Sequence, residues 1–212
     1  MKREPIYTTF ERVWHWLQAL TILFLLVTGL EIHGSIRLLG FARATWVHEA
    51  LALFTIANAF LSLFYHLASG AIQQFFPAPR DFFSLAIAQI AYYTRGIFAG
   101  APHPFVHESG HKLNVLQQVT YLGVLNLVLP LQVVSGVLMW KAQEWSGLVE
   151  RLGGLHLVAS VHVLCAWVFA AFVVMHVYLT TTGRTPLAHL RAMVLGWEEV
   201  PEQKTEVGHE TK

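Results

Sequence analysis

Apolar residues are concentrated in four long blocks of this chain instead of alternating with polar ones. The blocks cover residues 10–33, 46–68, 113–140 and 153–182. Each is long enough for a helix that crosses a hydrocarbon core, which takes about 20 apolar residues. The pattern therefore predicts an all-α integral membrane protein, folded as a four-helix bundle. Within the third block, Pro130 predicts a disturbance of the helix, because proline lacks the N–H and its ring clashes with the preceding turn.

The connections between the blocks differ in length. Residues 34–45 and 141–152 form short loops, whereas the segment 69–112 is long enough to hold structure of its own. Its stretch at 80–98, "RDFFSLAIAQIAYYTRGIF", has apolar residues available for one side and charges near both ends. This composition predicts an interfacial helix lying at the membrane surface, with a fifth buried helix as the alternative.

The chain ends in two further segments. After the fourth block, "PLAHLRAMVLGW" at 186–197 predicts a short interfacial helix that begins at a proline. The final residues, 198–212, are polar and are predicted to be disordered. The expected division is a transmembrane domain at 1–197 followed by this tail.

Positive charges predict the orientation of the bundle. Four spans place both termini on one side of the membrane, and short cytoplasmic segments carry the excess of lysine and arginine. With the termini inside, the cytoplasmic positions outnumber the outer ones by ten to four. The sequence therefore predicts cytoplasmic N- and C-termini in a multi-pass membrane protein. The inner positions are Lys2, Arg3, Arg12, Arg80, Arg95, Lys112, Arg184, Arg191, Lys204 and Lys212, and the outer ones are Arg37, Arg43, Lys141 and Arg151.

Composition narrows the chemistry. The chain is 55% hydrophobic and only 13% charged, which agrees with a protein surrounded by lipid. Cys165 is the single cysteine, so an intrachain disulfide, a covalently attached haem and a cysteine-ligated iron–sulfur cluster are excluded within this chain. A net charge of +1 without a basic run gives no indication of nucleic acid binding.

Histidines are the chemically informative residues of the apolar blocks. The fourth block contains "HVLCAWVFAAFVVMH", in which His162 and His176 are separated by fourteen residues. Fourteen residues are close to four helical turns and ~21 Å, so both side chains lie on nearly one face at two depths. An imidazole inside a bilayer is costly unless it is paired or ligated, which makes these residues functional candidates.

The histidines of the other blocks fall into the same two layers. Their spacing predicts the layers but leaves the pairing open, since residues eighteen apart, such as His15 and His33, also share a face. A hydrogen bond from each histidine to a neighbouring carbonyl or hydroxyl is the alternative interpretation. The inner layer could draw on His15, His66 and His176, and the outer layer on His33, His48, His156 and His162.

Five segments of the sequence resemble one known family. They are "ERVWHWLQALTILFLLVTG", "WVHEALA", "HKLNVLQQ", "VVSGVLMW" and "VHVLCAWVFAAFVVMHVYLTTTGRTP". The resemblance covers residues 7–195 and is to the bacterial four-helix di-haem b cytochromes. These are the cytochrome b561-like membrane subunits of nickel–iron hydrogenases, formate dehydrogenases and thiosulfate reductases.

The resemblance implies a set of haem ligands. It pairs His15 with His176 on an inner haem b, and His48 with His162 on an outer one. It also matches Gly29 of "VTG" and Gly136 of "VSG" to glycines that could admit a haem face, although helix packing explains them equally well. Four cations near the membrane surfaces could meet haem propionates, namely Arg12, Arg37, Arg43 and Lys141.

In formate dehydrogenase-like members of the family, a quinone lies beside the inner haem near an asparagine that precedes the third helix. Asn114 matches that position and Gln117 is a further candidate, for menaquinone or ubiquinone as the exchangeable substrate. Leu116 stands where the family pattern has glycine, and an asparagine at a helix start is also an ordinary cap. A separate cluster, His103, His107 and His111, could bind a metal or relay protons, but no cysteine or carboxylate set supports a closed site.

The resemblance implies an electron-transfer subunit that connects the quinone pool to a periplasmic redox partner, as in thiosulfate reductase-type respiratory complexes. The expected partner carries iron–sulfur clusters or is a multihaem c-type cytochrome. One alternative is a stand-alone cytochrome b that acts as a superoxide:quinone oxidoreductase. The other is a protein without redox activity, whose histidines transport protons or a metal.

Overall fold

The computed structural model describes residues 2–76, 81–101, 113–183 and 185–200. In this part of the chain four helical spans are long and apolar enough to cross a membrane, which confirms the predicted all-α, four-helix architecture. In chain order the elements are β1 (Lys2–Pro5), α1 (Thr9–Ile32), α2 (Phe41–Ala68), α3 (Phe82–Ala91), α4 (Val115–Gly123), α5 (Leu129–Trp140), α6 (Ser146–Arg151), α7 (Gly154–Thr180), α8 (Ala188–Leu195) and β2 (Trp197–Val200). The histidine cluster at 103–111 lies outside the described residues.

The first two spans are joined by a loop that a buried carboxylate holds. Glu31, near the end of α1, is 6% exposed, and its Oε1 accepts backbone N–H groups from Leu38, Leu39 and Gly40 at 2.8, 2.7 and 2.7 Å. These three N–H groups would otherwise be unpaired before the first turn of α2. The helix therefore begins at Phe41, five residues earlier than the apolar pattern predicts.

The third span consists of α4, a π-helical turn at Val124–Val128, and α5. The π turn directly precedes Leu129 and Pro130, so the predicted disturbance takes the form of a widened turn. Its cause is the proline ring, which cannot fit against the carbonyl four residues earlier. The Asn126 side chain donates from Nδ2 to the Leu122 carbonyl at 2.9 Å, which satisfies an acceptor beside the irregular turn.

The bundle is organised as two helix pairs. Among the described residues, close backbone approach between the spans is concentrated where α1 packs on α2 and where α5 packs on α7. Large apolar side chains point outward from both pairs, for example Phe24 at 57% and Trp167 at 62% exposure. Such outward faces are expected where lipid replaces water as the solvent. The space between the two pairs is bridged by imidazole rings.

The two ends of the chain meet in a small antiparallel sheet. Strand β1 pairs with β2 in a register that places Arg3 opposite Glu199 and Pro5 opposite Trp197. The Arg3 guanidinium also lies over the Trp197 ring, 4.1 Å from its centroid. Strand β2 extends to Val200, three residues into the segment that composition assigns to the tail, because it pairs with the N-terminal strand; the remainder of the tail lies beyond the described residues. Strands β1 and β2 lie together at one end of the bundle.

The predicted helix of the long connection is present. It is α3, extended by a π-helical turn at Tyr92–Gly96. Phe83 and Ile87 are 78% and 66% exposed, whereas the polar Gln89 is only 3% exposed. An apolar face that points outward and a polar side chain that points inward fit a helix in contact with lipid.

Candidate functional site

The outer histidine pair joins the two halves of the bundle. His48 lies in the second turn of α2 and His162 in the third turn of α7, and their ring centroids are 6.3 Å apart. Both side chains are half-buried. The structure therefore brings together two residues that are 114 positions apart in sequence and that spacing alone did not pair.

The inner pair consists of His15 on α1 and His176 on α7, with ring centroids 6.0 Å apart. His15 is held at the start of its span by its neighbour Trp16, whose indole N–H donates to the Met193 carbonyl of α8 at 3.3 Å. Phe172, one turn before His176, stacks on its ring at 5.7 Å. The inner imidazoles are thus surrounded by aromatic surface instead of hydrogen-bonding groups.

His48 is oriented by a threonine and a glycine of α1. Its Nδ1 lies 2.9 Å from the Thr28 hydroxyl, and that hydroxyl donates its own proton to the Phe24 carbonyl at 2.8 Å. The contact is therefore an imidazole N–H that donates to Thr28 Oγ1. A Cβ at Gly29 would lie 3.5 Å from His48 Cε1, so the glycine lets the ring lie directly against the helix.

His162 repeats this arrangement on α5. Its Nδ1 lies 3.1 Å from the Gln132 carbonyl and 3.1 Å from Ser135 Oγ. A carbonyl only accepts, so Nδ1 carries the proton. A Cβ at Gly136 would lie only 3.1 Å from His162 Cε1, which is closer than the 3.5 Å between a Cβ at Gly29 and His48 Cε1. Each of the two glycines therefore faces a histidine ring of the neighbouring helix.

The geometry of both pairs fits a haem iron. An imidazole nitrogen lies about 2 Å from a bound metal, so two imidazoles on opposite sides of one ion have ring centroids roughly 6 Å apart. The outer histidines use Nδ1–H for hydrogen bonds, so Nε2 is the atom that could ligate a metal. At His162 the Nε2 atom lies 3.0 Å from the Gln132 side-chain nitrogen, so that side chain has to turn away when a metal binds.

The remaining intramembrane histidines are not paired in this way. His33 and His156 are exposed. His66 is 5% exposed and donates from Nδ1 to the Ser62 carbonyl at 2.8 Å within its own helix. Across the described ranges, no three histidine, cysteine, aspartate or glutamate side chains form a possible metal site. The histidines that meet do so only in pairs, which is what two axial ligands require.

The surroundings of Arg12 and Lys141 differ in how well they suit a haem propionate. Arg12 lies one turn before His15, and its buried Nε has no hydrogen-bond partner, while its Nη1 donates to the Leu195 carbonyl at 3.3 Å. An unpaired guanidinium N–H at this position suits an anionic group. Lys141 instead pairs with Glu144 at 3.1 Å and lies near the Trp140 ring.

Asn114 and Gln117 form a capping box at the start of α4. The Asn114 Oδ1 accepts the Gln117 backbone N–H at 2.9 Å, and Gln117 Oε1 accepts the Asn114 backbone N–H at 2.9 Å. One N–H of the Asn114 amide goes to the Tyr93 hydroxyl at 3.1 Å, which leaves one free. The Gln117 side-chain nitrogen makes no hydrogen bond to the described residues, so it offers two donors.

Buried polar side chains lie around the start of α4. Gln89 and Asn114 are each 3% exposed, and both hydrogen-bond to Tyr93. Burial raises the pKa of the Tyr93 hydroxyl, so the tyrosine is neutral at physiological pH. Tyr121, seven residues after Asn114 and therefore about two turns along the span, contacts Phe172, which stacks on His176. Ring contacts thus connect Tyr121, about two turns from Asn114, to the inner pair.

Sequence reasoning did not identify the residues that orient the outer pair, which are Thr28, Gln132 and Ser135. Their signal is the repeated tripeptide of valine, a hydroxyl residue and glycine at 27–29 and 134–136. The sequence identifies the glycines as positions for a haem face or for helix packing. The role of the hydroxyl beside each glycine can be recognised only when the facing histidine is known. Tyr93 and Gln89 carried no local signal at all.

Comparison with known proteins identifies the family of the chain. Residues 6–196 match the family model described as "Prokaryotic cytochrome b561". A protein of Escherichia coli (strain K12) named "Putative cytochrome YdhU" is 31% identical over 194 residues, which are 91% of this chain and 73% of that protein.

A second relative comes from Azospira oryzae and is named "Putative protein-methionine-sulfoxide reductase subunit YedZ1". It is 26% identical over 199 residues, which are 88% of this chain and 96% of that protein. No solved structure matches this chain. The family match covers all four spans and all four paired histidines. The chain belongs to the prokaryotic cytochrome b561 family, and is a multi-pass membrane cytochrome of the haem b type.

Proposed function

We propose that the protein holds two haems b, an inner one between His15 and His176 and an outer one between His48 and His162. The observation that carries this proposal is the presence of two imidazole pairs at matched depths, with centroid separations of 6.0 and 6.3 Å. The two layers are set by one helix, since His162 and His176 are four turns apart on α7. Together the two layers reach across much of the bilayer.

The function that follows is electron transfer across the membrane. A haem with two histidine ligands supplies reversible one-electron chemistry and has no open position for oxygen or a substrate. The chain's part is to fix the ligands, to surround them with apolar helices that exclude water, and to set the depth of each layer. For this reason we favour an electron carrier over a histidine-based proton or metal transporter.

We place the termini in the cytoplasm and the outer pair toward the periplasm of a bacterial inner membrane. The support is the excess of lysine and arginine on the side of the termini, which β1 and β2 bring together. The proposed partner is a periplasmic redox subunit with iron–sulfur clusters or several c-type haems, as in a thiosulfate reductase-type complex. The Azospira relative is named as a reductase subunit, which is compatible with a role inside a larger enzyme.

We further propose that a quinone binds at the start of α4 and exchanges electrons with the inner haem. Its carbonyls require hydrogen-bond donors, and this position offers the free N–H of Asn114 and the side-chain amide of Gln117. The neutral hydroxyl of Tyr93 adjoins both the amide and the membrane edge. On the same helix, Tyr121 contacts Phe172, which stacks on His176.

We expect the Asn114→Ser variant to accept electrons from a quinol analogue more slowly than the wild type. Serine preserves the cap of α4, because its hydroxyl also accepts the N–H of the third helical residue. It loses the amide donor, and an unpaired buried carbonyl costs ~1–3 kcal/mol, equivalent to roughly one to two powers of ten in rate or affinity. The measurement is stopped-flow haem reduction by decylubiquinol or a menaquinol analogue, with the haem spectrum recorded beforehand.

The Asn114→Leu variant is the matched comparison, because it removes both the cap and the donor. Equal slowing in the serine and leucine variants supports quinone binding by the amide. Normal reduction in the serine variant, with slow reduction only in the leucine variant, would show that Asn114 acts as a helix cap. Reduction at the wild-type rate in both would place quinone elsewhere or remove it from the function.

A further inference from the structure

We infer that the hydroxyls of Thr28 and Ser135 are positioning groups that lower the reduction potential of the outer haem relative to the inner one. The inference rests on the proposed function, since it presupposes iron between His48 and His162. Its basis is an asymmetry between the two layers. Each outer histidine meets a hydroxyl of the adjacent helix, whereas the inner histidines do not.

The Thr28 contact has a defined polarity. A hydroxyl has one proton, and that of Thr28 is directed to carbonyls of its own helix, at 2.8 Å from Phe24 and 3.2 Å from Leu25. The lone pair that faces His48 Nδ1 at 2.9 Å can therefore only accept. This holds the imidazole with its proton on Nδ1 and leaves Nε2 for the iron.

Ser135 provides the same group on the other side. Its hydroxyl donates to the Leu131 carbonyl at 2.6 Å, so its oxygen accepts from His162 Nδ1 at 3.1 Å. The His162 proton is shared with the Gln132 carbonyl, also at 3.1 Å. Each outer histidine thus has a hydroxyl and a backbone carbonyl of the adjacent helix as acceptors, since the Leu25 carbonyl faces His48 as the Gln132 carbonyl faces His162.

The inner pair lacks such partners in the part of the chain that the structure describes. His15 Nδ1 is buried without a hydrogen bond, and no described residue hydrogen-bonds to the His176 ring. Their nearest side chains are aromatic: Trp16 is edge-on to His15 at 5.3 Å, and Phe172 stacks on His176. The two layers therefore differ in the electronic surroundings of otherwise identical ligands.

A hydrogen bond from the outer nitrogen of a metal-bound histidine makes the imidazole a stronger donor to the metal. A stronger donor stabilises the more highly charged, oxidised iron, and the reduction potential falls. Two such hydrogen bonds act on the outer layer. At equilibrium the electron then resides preferentially on the inner layer, on the side of the proposed quinone position.

The test is a potentiometric titration of the full-length protein in detergent or nanodiscs, followed by optical spectroscopy. In the wild type we expect two one-electron components, and the outer one is identified as the component that His162→Ala removes. In Thr28→Val the reduced-to-oxidised ratio of the outer haem at a fixed ambient potential should rise roughly threefold to tenfold; tenfold corresponds to about 59 mV for a one-electron couple. In Ser135→Ala the rise should be smaller, because its hydroxyl lies farther from the histidine, at 3.1 Å from His162 Nδ1 against 2.9 Å between Thr28 and His48 Nδ1.

Two control variants distinguish this role from a packing effect. Thr21 is a buried hydroxyl on the same helix that donates to the Leu17 carbonyl at 2.6 Å and hydrogen-bonds to no histidine among the described residues, so Thr21→Val should leave both components unchanged. Thr28→Ser retains the hydroxyl, so its outer component should have the wild-type potential. The low-spin EPR g values should shift in Thr28→Val and be restored in Thr28→Ser.

The outcomes separate this inference from the proposed function. A wild-type protein without two haem components contradicts the proposed function itself. Two components with an outer potential that moves no more in Thr28→Val than in Thr21→Val overturn the inference alone. If Thr28→Val loses the outer haem, the Ser135→Ala variant tests the inference instead. An unchanged potential of the outer haem in Ser135→Ala then also overturns the inference.

Discussion

The His162→Ala protein is expected to lose the outer haem and to keep the inner one. Alanine removes one of two axial ligands, and the remaining His48 would hold the iron from one side only. His176 of the inner pair lies four turns away along α7, and its partner His15 is on α1. Haem b per chain should therefore fall by about half, measured as pyridine haemochrome against protein concentration.

His66→Ala is the matched control for this variant. His66 is also a buried intramembrane histidine, but its Nδ1 is satisfied by Ser62 within its own helix. It should retain the full haem content. Full haem content in His162→Ala, or an equal loss in the two variants, would contradict the assignment of the outer ligands.

The second large effect is expected from Gly136→Val. A Cβ at this position would lie 3.1 Å from His162 Cε1 and 3.5 Å from Nδ1, and valine adds two further carbons on a stiff side chain. The ring has to move away from Ser135 and the Gln132 carbonyl, and overpacking of this kind costs about 1–3 kcal/mol. We expect the outer haem to be lost or to dissociate several-fold faster, which transfer of haem to apomyoglobin measures.

Gly29→Ala provides the comparison on the other helix pair. Its Cβ would lie at an ordinary contact distance of 3.5 Å from His48 Cε1, and alanine is favoured over glycine inside a helix by roughly 0.5–1 kcal/mol. This variant should keep its haem and unfold at an equal or higher temperature. An outer haem that dissociates at the wild-type rate from Gly136→Val would show that the glycine is not required for the position of His162.

The architecture was predictable because the membrane imposes it. About 20 apolar residues must be helical to cross a bilayer, so four apolar blocks specified four spans within a few residues. The errors lie where polar groups override the apolar pattern. Glu31 accepts three backbone N–H groups ahead of α2, which begins at Phe41. Pairing of β1 with β2 orders residues that composition assigned to a disordered tail.

The histidine layers were predictable from helical periodicity, whereas their pairing required the resemblance to a family. Helical spacing places His15, His48, His162 and His176 at two depths, but it does not determine which helices face each other. The hydroxyls of Thr28 and Ser135 illustrate the remaining limit. Each is an ordinary helix residue that bonds its own carbonyls, and only the neighbouring helix supplies the histidine that makes it part of the site.

The same limit applies at the proposed quinone position. Asn114 and Gln117 were identifiable as a capping sequence or as donors, and the two descriptions are compatible, because the side-chain oxygens form the cap while the side-chain nitrogens can donate. Tyr93 reaches Asn114 from the preceding connection, 21 residues away in sequence. Long-range contacts of this kind depend on how the loop folds back on the bundle, which no local pattern encodes.

The central claim is that the four histidines hold two haems as bis-histidine pairs. Its most direct test is the haem b content per chain of the purified full-length protein, together with its low-temperature EPR spectrum. We predict about two haems b per chain, both low-spin in the oxidised state, since each iron has two imidazole ligands. A content of one haem or none, or a high-spin signal that accounts for one of the haems, would contradict the account.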